Sequence, residues 1–364
     1  MSLIALNGRF TGTPNPTGTQ TASFHLFEAI LAEPSEFRFV VFADSRFSGV
    51  ASWGDSGRVT FVPTPFQDWS RGRAHLWEQF QAPVLAARRG CRIMHHPMTT
   101  CPAWQNRISH VVTLHDFNFL LHPEWYQRSF RMVYALCAMP GLRRCRRVVA
   151  ISDYVREQAA RIFSASAPRL RTIHNGVKPM VAKAPREGNY LFAAGSLQPH
   201  KNLPRLIEAF QRVRAEFPGL ELVVAGRPQP RFAAQPELAA LLASPGIRLV
   251  GYLLDDELAN AYAGARAFCF PSLEEGFGLP VLEAMTLGCP VLTSNVSCLP
   301  EISGPAVQVD PYSVEAIAEG LRMLLRLSPG ERDALTAGGR EWAARFSWQA
   351  AAKKYLALYR ELAS

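Results

Sequence analysis

The sequence predicts an α/β protein of two domains, each built on a parallel sheet flanked by helices. The chain has 364 residues, of which 48% are apolar, so it can bury two separate cores. Short apolar runs alternate with helical patterns, which is typical of parallel sheets covered by helices. A stretch rich in proline and charge, residues 175–189, divides these runs into two sets.

The buried strands are predicted from the apolar runs. In the first half they cover residues 3–6, 37–43, 59–62, 92–95, 111–114 and 147–151. In the second half they cover residues 189–194, 220–225, 247–250, 267–270, 290–293 and 306–309. Each set suits a doubly wound sheet, whose ligands bind beyond the carboxyl ends of the strands. The predicted domains are residues 1–180 and 181–346, followed by a last helical segment at 347–364.

The most informative segment is P-S-L-E-E-G-F-G-L-P-V-L-E-A-M-T-L-G-C-P at residues 271–290. Glu275 and Glu283 stand eight residues apart, with a Gly-Phe-Gly turn and a proline between them. The glycines allow backbone N–H groups to approach a ligand, and the proline suits the start of a helix. A helix over residues 281–287 would direct its positive end at the turn, where a diphosphate or sugar hydroxyls could bind. These residues predict a sugar-nucleotide site.

The complete string resembles the E-x7-E signature of retaining glycosyltransferases with the GT-B fold, the family 4 group of many bacterial mannosyl-, glucosyl- and rhamnosyltransferases. The resemblance implies two Rossmann-like domains facing each other across a cleft, with the C-terminal helix crossing back to the first domain. It also implies that Glu283 holds the ribose hydroxyls and that Glu275 holds the donor sugar. The backbone of the turn would bind the sugar as well, through Gly276, Phe277, Gly278 and Leu279.

A second resemblance to the family lies in G-S-L-Q-P-H-K-N-L, residues 195–203. In the family pattern G-x-L-x-P-x-K-N the lysine binds the diphosphate, so Lys201 is predicted to stabilise charge on the leaving group. Only five lysines occur in the chain, which makes this match informative. Many members carry arginine where Ser196 and His200 stand, which puts one cationic contact to the donor in doubt. His200 could supply that charge when protonated, or lie exposed without a role.

In the first half, V-V-T-L-H-D-F-N-F-L-L-H-P-E-W-Y at residues 111–126 resembles the family's strand that ends in His-Asp. The resemblance gives His115 a hydrogen bond to a donor-sugar hydroxyl and a carbonyl group close to the anomeric carbon. His96, at the end of another strand, could touch the acceptor. The family also places a flexible glycine loop after the first strand. Gly18, with Thr19 beside it, would there bring N–H groups to the donor phosphates.

Gly251 and Tyr252 follow another predicted strand, where the family holds the nucleotide base. Asp255 and Asp256 are adjacent, unlike a metal-binding D-x-D pair, and fit the N-cap of a helix better. No metal and no other cofactor is therefore predicted. Lys201 and helix N-termini would neutralise the diphosphate instead.

The net charge of +9 comes mainly from arginine, which is crowded in the first half of the chain. These arginines either form a solvated face or bind an anionic phospholipid surface or a pyrophosphate-linked lipid. Nucleic acid is not a predicted partner, because no aromatic-basic interleaving accompanies the charge. With no long uncharged apolar run and seven scattered cysteines, we predict a cytoplasmic protein with reduced thiols, peripheral on the inner face of the plasma membrane if it binds lipid. The basic residues are Arg71, Arg73, Arg88, Arg89, Arg92, Arg128, Arg131, Arg143, Arg144, Arg146 and Arg147.

The sequence thus predicts a retaining, metal-independent transferase that moves a sugar from a nucleoside diphosphate to a hydroxyl of a glycan, carried on lipid, in polysaccharide or O-antigen synthesis. GDP-mannose is the first choice of donor. The predicted catalytic residues are His115, Lys201 and Glu275. Two alternatives stay open: another enzyme of this fold, such as a sugar-nucleotide epimerase or a phosphorylase, and an inactive membrane-associated scaffold. A dinucleotide oxidoreductase is disfavoured because no G-x-G-x-x-G follows the first strand.

Overall fold

The structure is a computed structural model, and it describes residues 2–13, 17–47, 53, 57–104, 107–163, 169–185, 187–226 and 236–364. The chain divides into two compact units. The first contains Met1–Gly176 together with Ser347–Ser364, and the second contains Val177–Phe346. Each unit is built on one parallel sheet, which confirms the predicted fold class.

The sheet of the first unit has seven parallel strands in the order β3-β2-β1-β4-β5-β6-β7. Six of them match predicted strands to within a few residues. The seventh was missed, because a short edge strand lacks a long apolar run. The strands are β1 Leu3–Asn7, β2 Arg38–Asp44, β3 Val59–Thr64, β4 Ile93–His96, β5 Ser109–Leu114, β6 Arg147–Ala150 and β7 Leu170–Thr172.

Successive side chains of a strand point to opposite faces of the sheet. Because the strands carry apolar residues on both faces, helices cover both. On one face, Phe42 of β2 packs against Trp77, with ring centroids 5.4 Å apart. On the other face, Phe27 lies 5.4 Å from His95 of β4. The helices of the first unit are Gly18–Ala32, Arg71–Leu76, Ala82–Arg88, Asn118–Leu121, Arg128–Arg144, Asp153–Phe163 and Trp348–Ala363, and a π-helical turn at Trp77–Gln81 joins the second helix to the third.

The last helix, Trp348–Ala363, is fixed in the first unit by buried hydroxyl groups. The Tyr359 hydroxyl lies 2.6 Å from His95 Nδ1, and the Tyr355 hydroxyl lies 2.6 Å from Thr113 Oγ1. Both tyrosines are almost completely buried, so their hydroxyls need these partners. The C-terminal helix is therefore an integral part of the first unit.

The sheet of the second unit has six parallel strands in the order β10-β9-β8-β11-β12-β13. All six were predicted. They are β8 Tyr190–Ala194, β9 Glu221–Ala225, β10 Ile247–Gly251, β11 Ala267–Phe270, β12 Val291–Ser294 and β13 Val307–Val309. The helices are Leu203–Arg214, Pro236–Leu242, Asp255–Gly264, Leu279–Thr286, Leu299–Ile302, Val314–Leu325 and Pro329–Ala343.

This sheet also buries both faces. Leu191 of β8 belongs to a cluster that includes Phe210 and Leu321 from two helices. The next residue, Phe192, points the other way and meets Tyr262, with ring centroids 5.2 Å apart. Because both faces are covered, the strands read as continuous apolar runs, which is why sequence predicted them well.

Three glycines close neighbouring strands at the carboxyl edge of the second sheet. Gly195 follows β8, Gly226 follows β9, and Gly251 ends β10, with φ of 145°, 148° and 72°. The Gly226 N–H donates to the Gly251 carbonyl oxygen over 2.7 Å. A Cβ atom on Gly226 would lie only 1.9 Å from the Gly195 carbonyl oxygen. This position therefore accepts no side chain without moving the loop after β8.

Within the described residues, no helix combines the length and the apolar character that a membrane span requires. The cysteines whose side chains are described, at positions 91, 101, 145, 269, 289 and 298, are buried free thiols. The side chain of Cys137 lies outside the described part.

We expect Gly226→Ala to destabilise the protein by about 2–4 kcal/mol, because it combines a positive φ with a backbone clash. Gly251→Ala is the matched control. It has a positive φ, but a Cβ there meets nothing within 4 Å, so we expect about 1–2 kcal/mol. Urea unfolding of both variants tests this. Equal losses of stability would show that the close contact with Gly195 is unimportant.

Candidate functional site in the second unit

Two loops meet at the carboxyl edge of the second sheet, because β8 and β11 are neighbours. One loop, residues 195–202, follows β8, and the signature turn, residues 271–278, follows β11. The Leu273 N–H donates to the His200 carbonyl oxygen over 2.7 Å. The strand order thus brings the loop of residues 195–202 and the E-x7-E signature into direct contact.

Asn202 fastens this contact, and the sequence reasoning gave it no role. Its side-chain amide donates to the carbonyl oxygens of Pro271 and Pro311, over 3.0 and 2.7 Å. Its backbone is left-handed, with φ 58°, and the residue is buried. Asparagine is among the few residues with a side chain that tolerate this conformation. The signal was present in the K-N pair, where a polar residue immediately precedes a helix.

Lys201 and Glu275 form an ion pair at this junction. The Lys201 ammonium lies 2.5 Å from Glu275 Oε1, and both side chains are mostly buried. The ammonium also lies 4.7 Å from the centroid of the Phe270 ring, within the range of a cation–π contact. The two predicted catalytic residues of the second unit are therefore neighbours.

The environment of Glu275 keeps it ionised. Burial opposes its negative charge, but the charge of Lys201, followed by that of His200, more than offsets this effect. The pKa of Glu275 is therefore below its usual value. At neutral pH the site holds a carboxylate beside an ammonium group, and an anionic ligand would find a fixed cation there.

The signature turn leads into the helix Leu279–Thr286, two residues earlier than predicted. Gly278 precedes it with φ 91°, and a Cβ there would lie 2.8 Å from Leu299. The first N–H groups of a helix lack acceptors within it, so this helix start offers a donor and positive potential. Phe277 is buried and packs against Phe346, with ring centroids 5.9 Å apart. Only its backbone is therefore available for a sugar.

Glu283 lies on the same helix in a contrasting environment. The Tyr262 hydroxyl donates to its Oε2 over 3.3 Å. Burial raises the pKa of Glu283 to about 7, with a further increase from the charge of Asp255, while the Tyr262 hydrogen bond and Lys178 act in the opposite direction. The two signature glutamates thus differ: one is held as a carboxylate, and the other gains and loses a proton near neutral pH.

The remaining predicted donor-binding residues of the second unit lie around this edge. Ser196 is half-buried in the loop after β8. His200 is buried in the turn Pro199–Lys201, so the alternative of an exposed loop residue is wrong. Tyr252, just after β10, is exposed.

The prediction that Asp255 or Asp256 caps a helix is wrong in detail. The N-cap position belongs to Leu254, and both aspartates lie in the first turn of the helix Asp255–Gly264. Asp255 pairs with Lys178, and Asp256 pairs with Lys183 over 2.7 Å. Acidic residues in a first turn are favoured by the helix dipole, and the lysines bind their carboxylates.

In the first unit, His115 follows β5 and is buried. Its Nε2 lies 2.7 Å from the Pro97 carbonyl oxygen, and its backbone N–H donates to Thr99 Oγ1 over 3.3 Å. Since a carbonyl only accepts, Nε2 carries the proton. Burial lowers the pKa of His115 to about 4, against the opposing hydrogen bond to Pro97. At neutral pH the ring is uncharged, and Nδ1 is an acceptor that suits a sugar hydroxyl.

Gly18 and Thr19 begin the helix Gly18–Ala32 rather than forming a loop of their own. Gly18 is exposed, and a Cβ on it would meet nothing within 4 Å. Residues 14–16 of the predicted glycine loop lie outside the described part of the chain. Gly18 and Thr19 thus stand at a helix N-terminus, where backbone N–H groups are directed away from the helix.

The loop after β4, which contacts His115 through Pro97 and Thr99, also belongs to a buried polar network. The sequence did not predict most of this network. Glu78 accepts hydrogen bonds from Asn7 and Thr100, over 2.6 and 2.7 Å. His96 Nδ1 lies 3.2 Å from the Asn7 amide, and its Nε2 lies 3.0 Å from Nδ1 of His110. His96 is completely buried, so the prediction that it touches an acceptor is wrong. No spacing in the sequence connects these residues, because they come from different strands and a helix.

We expect Glu283→Gln to flatten the pH dependence of stability. A carboxyl whose pKa rises on folding stabilises the protein below its unfolded pKa of about 4.5, and this is lost as pH rises through about 7. From pH 5 to 8 the wild type should lose stability relative to the variant, by at most about 3 kcal/mol. Urea unfolding at both pH values measures this, with the exposed Glu341→Gln as control. Parallel pH profiles for all three proteins would contradict the assignment.

Two protein-family models match the chain. The model described as Glycosyltransferase Family 4 matches residues 18–180, and the model described as Glycosyl transferases group 1 matches residues 179–342. Together they cover residues 18–342, which include most of both units.

Curated relatives and solved structures agree with the family models. The O-antigen chain mannosyltransferase B of Escherichia coli is 31% identical over 258 residues, which are 66% of this chain and 67% of the relative. The MMP alpha-(1->4)-mannosyltransferase of Mycolicibacterium hassiacum is 35% identical over 206 residues, 54% of this chain and 49% of that longer relative. Among solved structures, sucrose-phosphate synthase from Thermosynechococcus elongatus matches with a TM-score of 0.75 at 21% identity, covering 100% and 99% of the two chains. The predicted family is confirmed: the chain belongs to the family 4 glycosyltransferases and has their GT-B fold.

Proposed function

We propose that this glycosyltransferase retains the anomeric configuration and uses a nucleoside diphosphate sugar, with GDP-mannose as the first candidate, to glycosylate a hydroxyl of a lipid-linked glycan. The observation that carries the proposal is the Lys201–Glu275 pair beside the start of the helix Leu279–Thr286. The carboxyl edge of the second sheet thus has three groups together: the Lys201 cation, the Glu275 carboxylate and a helix N-terminus. This combination suits a diphosphate joined to a polyhydroxylated sugar.

In the proposed reaction, the bond between the anomeric carbon and the diphosphate oxygen breaks. A bond forms on the same face between that carbon and the acceptor hydroxyl oxygen, whose proton passes to the leaving diphosphate oxygen. No separate protein base is needed in this step. The contribution of the protein is to position the reactants and to stabilise the charge that develops on the diphosphate.

Lys201 would stabilise that developing charge. Its ammonium is already desolvated against Phe270 and held by Glu275, so little reorganisation is required when the diphosphate binds. Glu275 would accept hydrogen bonds from sugar hydroxyls through its second oxygen, and Glu283 would accept them from the ribose. A ribose hydroxyl donates best to a carboxylate, so the site favours ionised Glu283 in the bound state.

The mannose assignment comes from the relatives. The matched proteins from Escherichia coli and Mycolicibacterium hassiacum are both named mannosyltransferases, and the first of them acts on the O-antigen chain. We extend the sugar and a polysaccharide acceptor to this chain as a proposal. His115 of the first unit, uncharged and with Nδ1 as an acceptor, suits a hydrogen bond with a sugar hydroxyl.

A calorimetric screen of the purified protein against GDP, UDP, dTDP and ADP, in buffer containing EDTA, tests the donor. We expect one nucleotide to bind without metal, and the corresponding sugar nucleotides then identify the sugar. Binding that appears only after addition of Mg²⁺ would contradict the proposed metal independence. The absence of binding to all four would favour the inactive scaffold.

We expect Lys201→Ala to lower kcat by about 100- to 1,000-fold, because it removes a preorganised charge at the leaving group. Lys183→Ala is the matched control, since Lys183 also pairs with an acidic residue of the second unit but lies exposed on its surface. Turnover of the donor identified by the screen gives the rate, and thermal unfolding verifies that both variants are folded. Full activity of a folded Lys201→Ala protein would remove Lys201 from the mechanism.

A further inference from the structure

The first unit carries two exposed apolar rows on neighbouring helical segments. Leu76, Phe80 and Val84 recur every four residues along residues 71–88, and all three are exposed, Phe80 to 58%. Side chains four apart lie on one face of a helix. Large apolar side chains are individually common on protein surfaces, but an ordered row of them indicates a contact surface.

The second row lies on the helix Arg128–Arg144. Met132 and Leu136 are again four residues apart and are exposed, Leu136 to 67%. The two segments are neighbours, because the rings of His75 and Tyr134 meet edge-on with centroids 6.2 Å apart. The apolar rows thus belong to one region of the first unit.

Arginines stand beyond the ends of both rows, at distances of four or eight residues. Arg88 follows Val84 by four residues and is exposed. Arg128 precedes Met132 by four residues and is exposed. Arg144 lies eight residues beyond Leu136 and is also exposed, although one of its N–H groups donates to the Ala103 carbonyl oxygen over 2.8 Å. Long arginine side chains at the ends of an apolar row can place their charge at headgroup level while the row enters the acyl boundary.

The charge of this region has one sign. Residues 71–90 and 128–147 contain ten arginines and one acidic residue, Glu78. Glu78 is buried and lies 3.4 Å from the Arg9 guanidinium, which balances its charge inside the unit, so it does not offset the surface charge. A strongly basic apolar surface is complementary to a bilayer that contains anionic phospholipid.

The inner side of the first segment is rigidly held. Glu78 binds Asn7 and Thr100, while Gln79 donates to the Cys101 carbonyl oxygen over 2.8 Å and accepts from the Ala103 N–H over 2.9 Å. These bonds come from the π-helical turn Trp77–Gln81, which directs polar groups inward. The exposed row of Leu76, Phe80 and Val84 is thus held in place without a partner, so docking would cost little conformational entropy in this segment.

We propose that the outer faces of residues 71–88 and 128–144 form a docking surface for an anionic phospholipid bilayer. A second copy of this chain, docked through the same surface, would bring like charges together. Nucleic acid could pair its phosphates with the arginines, but it has no acyl region in which Phe80 and Leu136 could be buried. The proposal does not rest on the proposed function, because membrane binding is measured without donor or acceptor.

The test is co-sedimentation of the full chain with vesicles of phosphatidylcholine, with and without phosphatidylglycerol. We expect binding only when phosphatidylglycerol is present, and weaker binding in 0.5 M salt. The double variant F80S/L136S should bind at least about tenfold more weakly, through loss of apolar burial. The double variant R88Q/R128Q should bind about 25-fold more weakly, at roughly fivefold for each charge near the surface.

Two matched controls separate this surface from general effects. The variant L254S/M323S removes exposed apolar residues of the second unit, and R38Q/R161Q removes exposed arginines elsewhere in the first unit. Both should bind vesicles as the wild type does. Equal loss in the controls, or no binding to phosphatidylglycerol vesicles, would overturn the proposal. The proposal would also be overturned if F80S/L136S still bound vesicles but had lost a self-association, or a DNA mobility shift, that the wild type shows.

Discussion

The ion pair between Lys201 and Glu275 is the interaction on which the second unit's site depends. Charges removed from water are costly unless they are paired, and each residue supplies the compensation for the other. The pair also fixes the position of the ammonium group, which would otherwise explore many rotamers. Its geometry rests on Asn202, whose two hydrogen bonds to the carbonyl groups of Pro271 and Pro311 hold the loop of residues 195–202 against the signature turn.

The two signature glutamates illustrate how environment separates identical side chains. Glu275 faces a lysine and stays ionised, whereas burial leaves Glu283 with a pKa of about 7 and a tyrosine as its partner. A ligand that donates hydrogen bonds to Glu283 would replace part of the solvation that burial removes. The signature turn therefore presents a permanent charge at Glu275, and the helix Leu279–Thr286 presents a second charge, at Glu283, that responds to its occupant.

In the first unit, buried polar groups serve a similar purpose. The carboxylate of Glu78 connects β1, the loop after β4 and the segment 71–88. The same loop supplies the carbonyl of Pro97 that fixes the tautomer of His115. The placement of His115 and that of the exposed row containing Phe80 thus depend on one internal network, although one is a polar site and the other an apolar surface.

The sequence by itself determined the fold class, the family and twelve of the thirteen strands that the described residues contain, because buried parallel strands are continuous apolar runs and the glycine-rich motifs are local. It also indicated Lys201, Glu275 and Glu283 through their spacing. Only the tertiary structure decided that Lys201 pairs with Glu275, that His96 is buried, and that Asn202 and Gly226 hold the loops together. These facts depend on strand order and on contacts between distant segments, and no periodicity along the chain records which strands become neighbours.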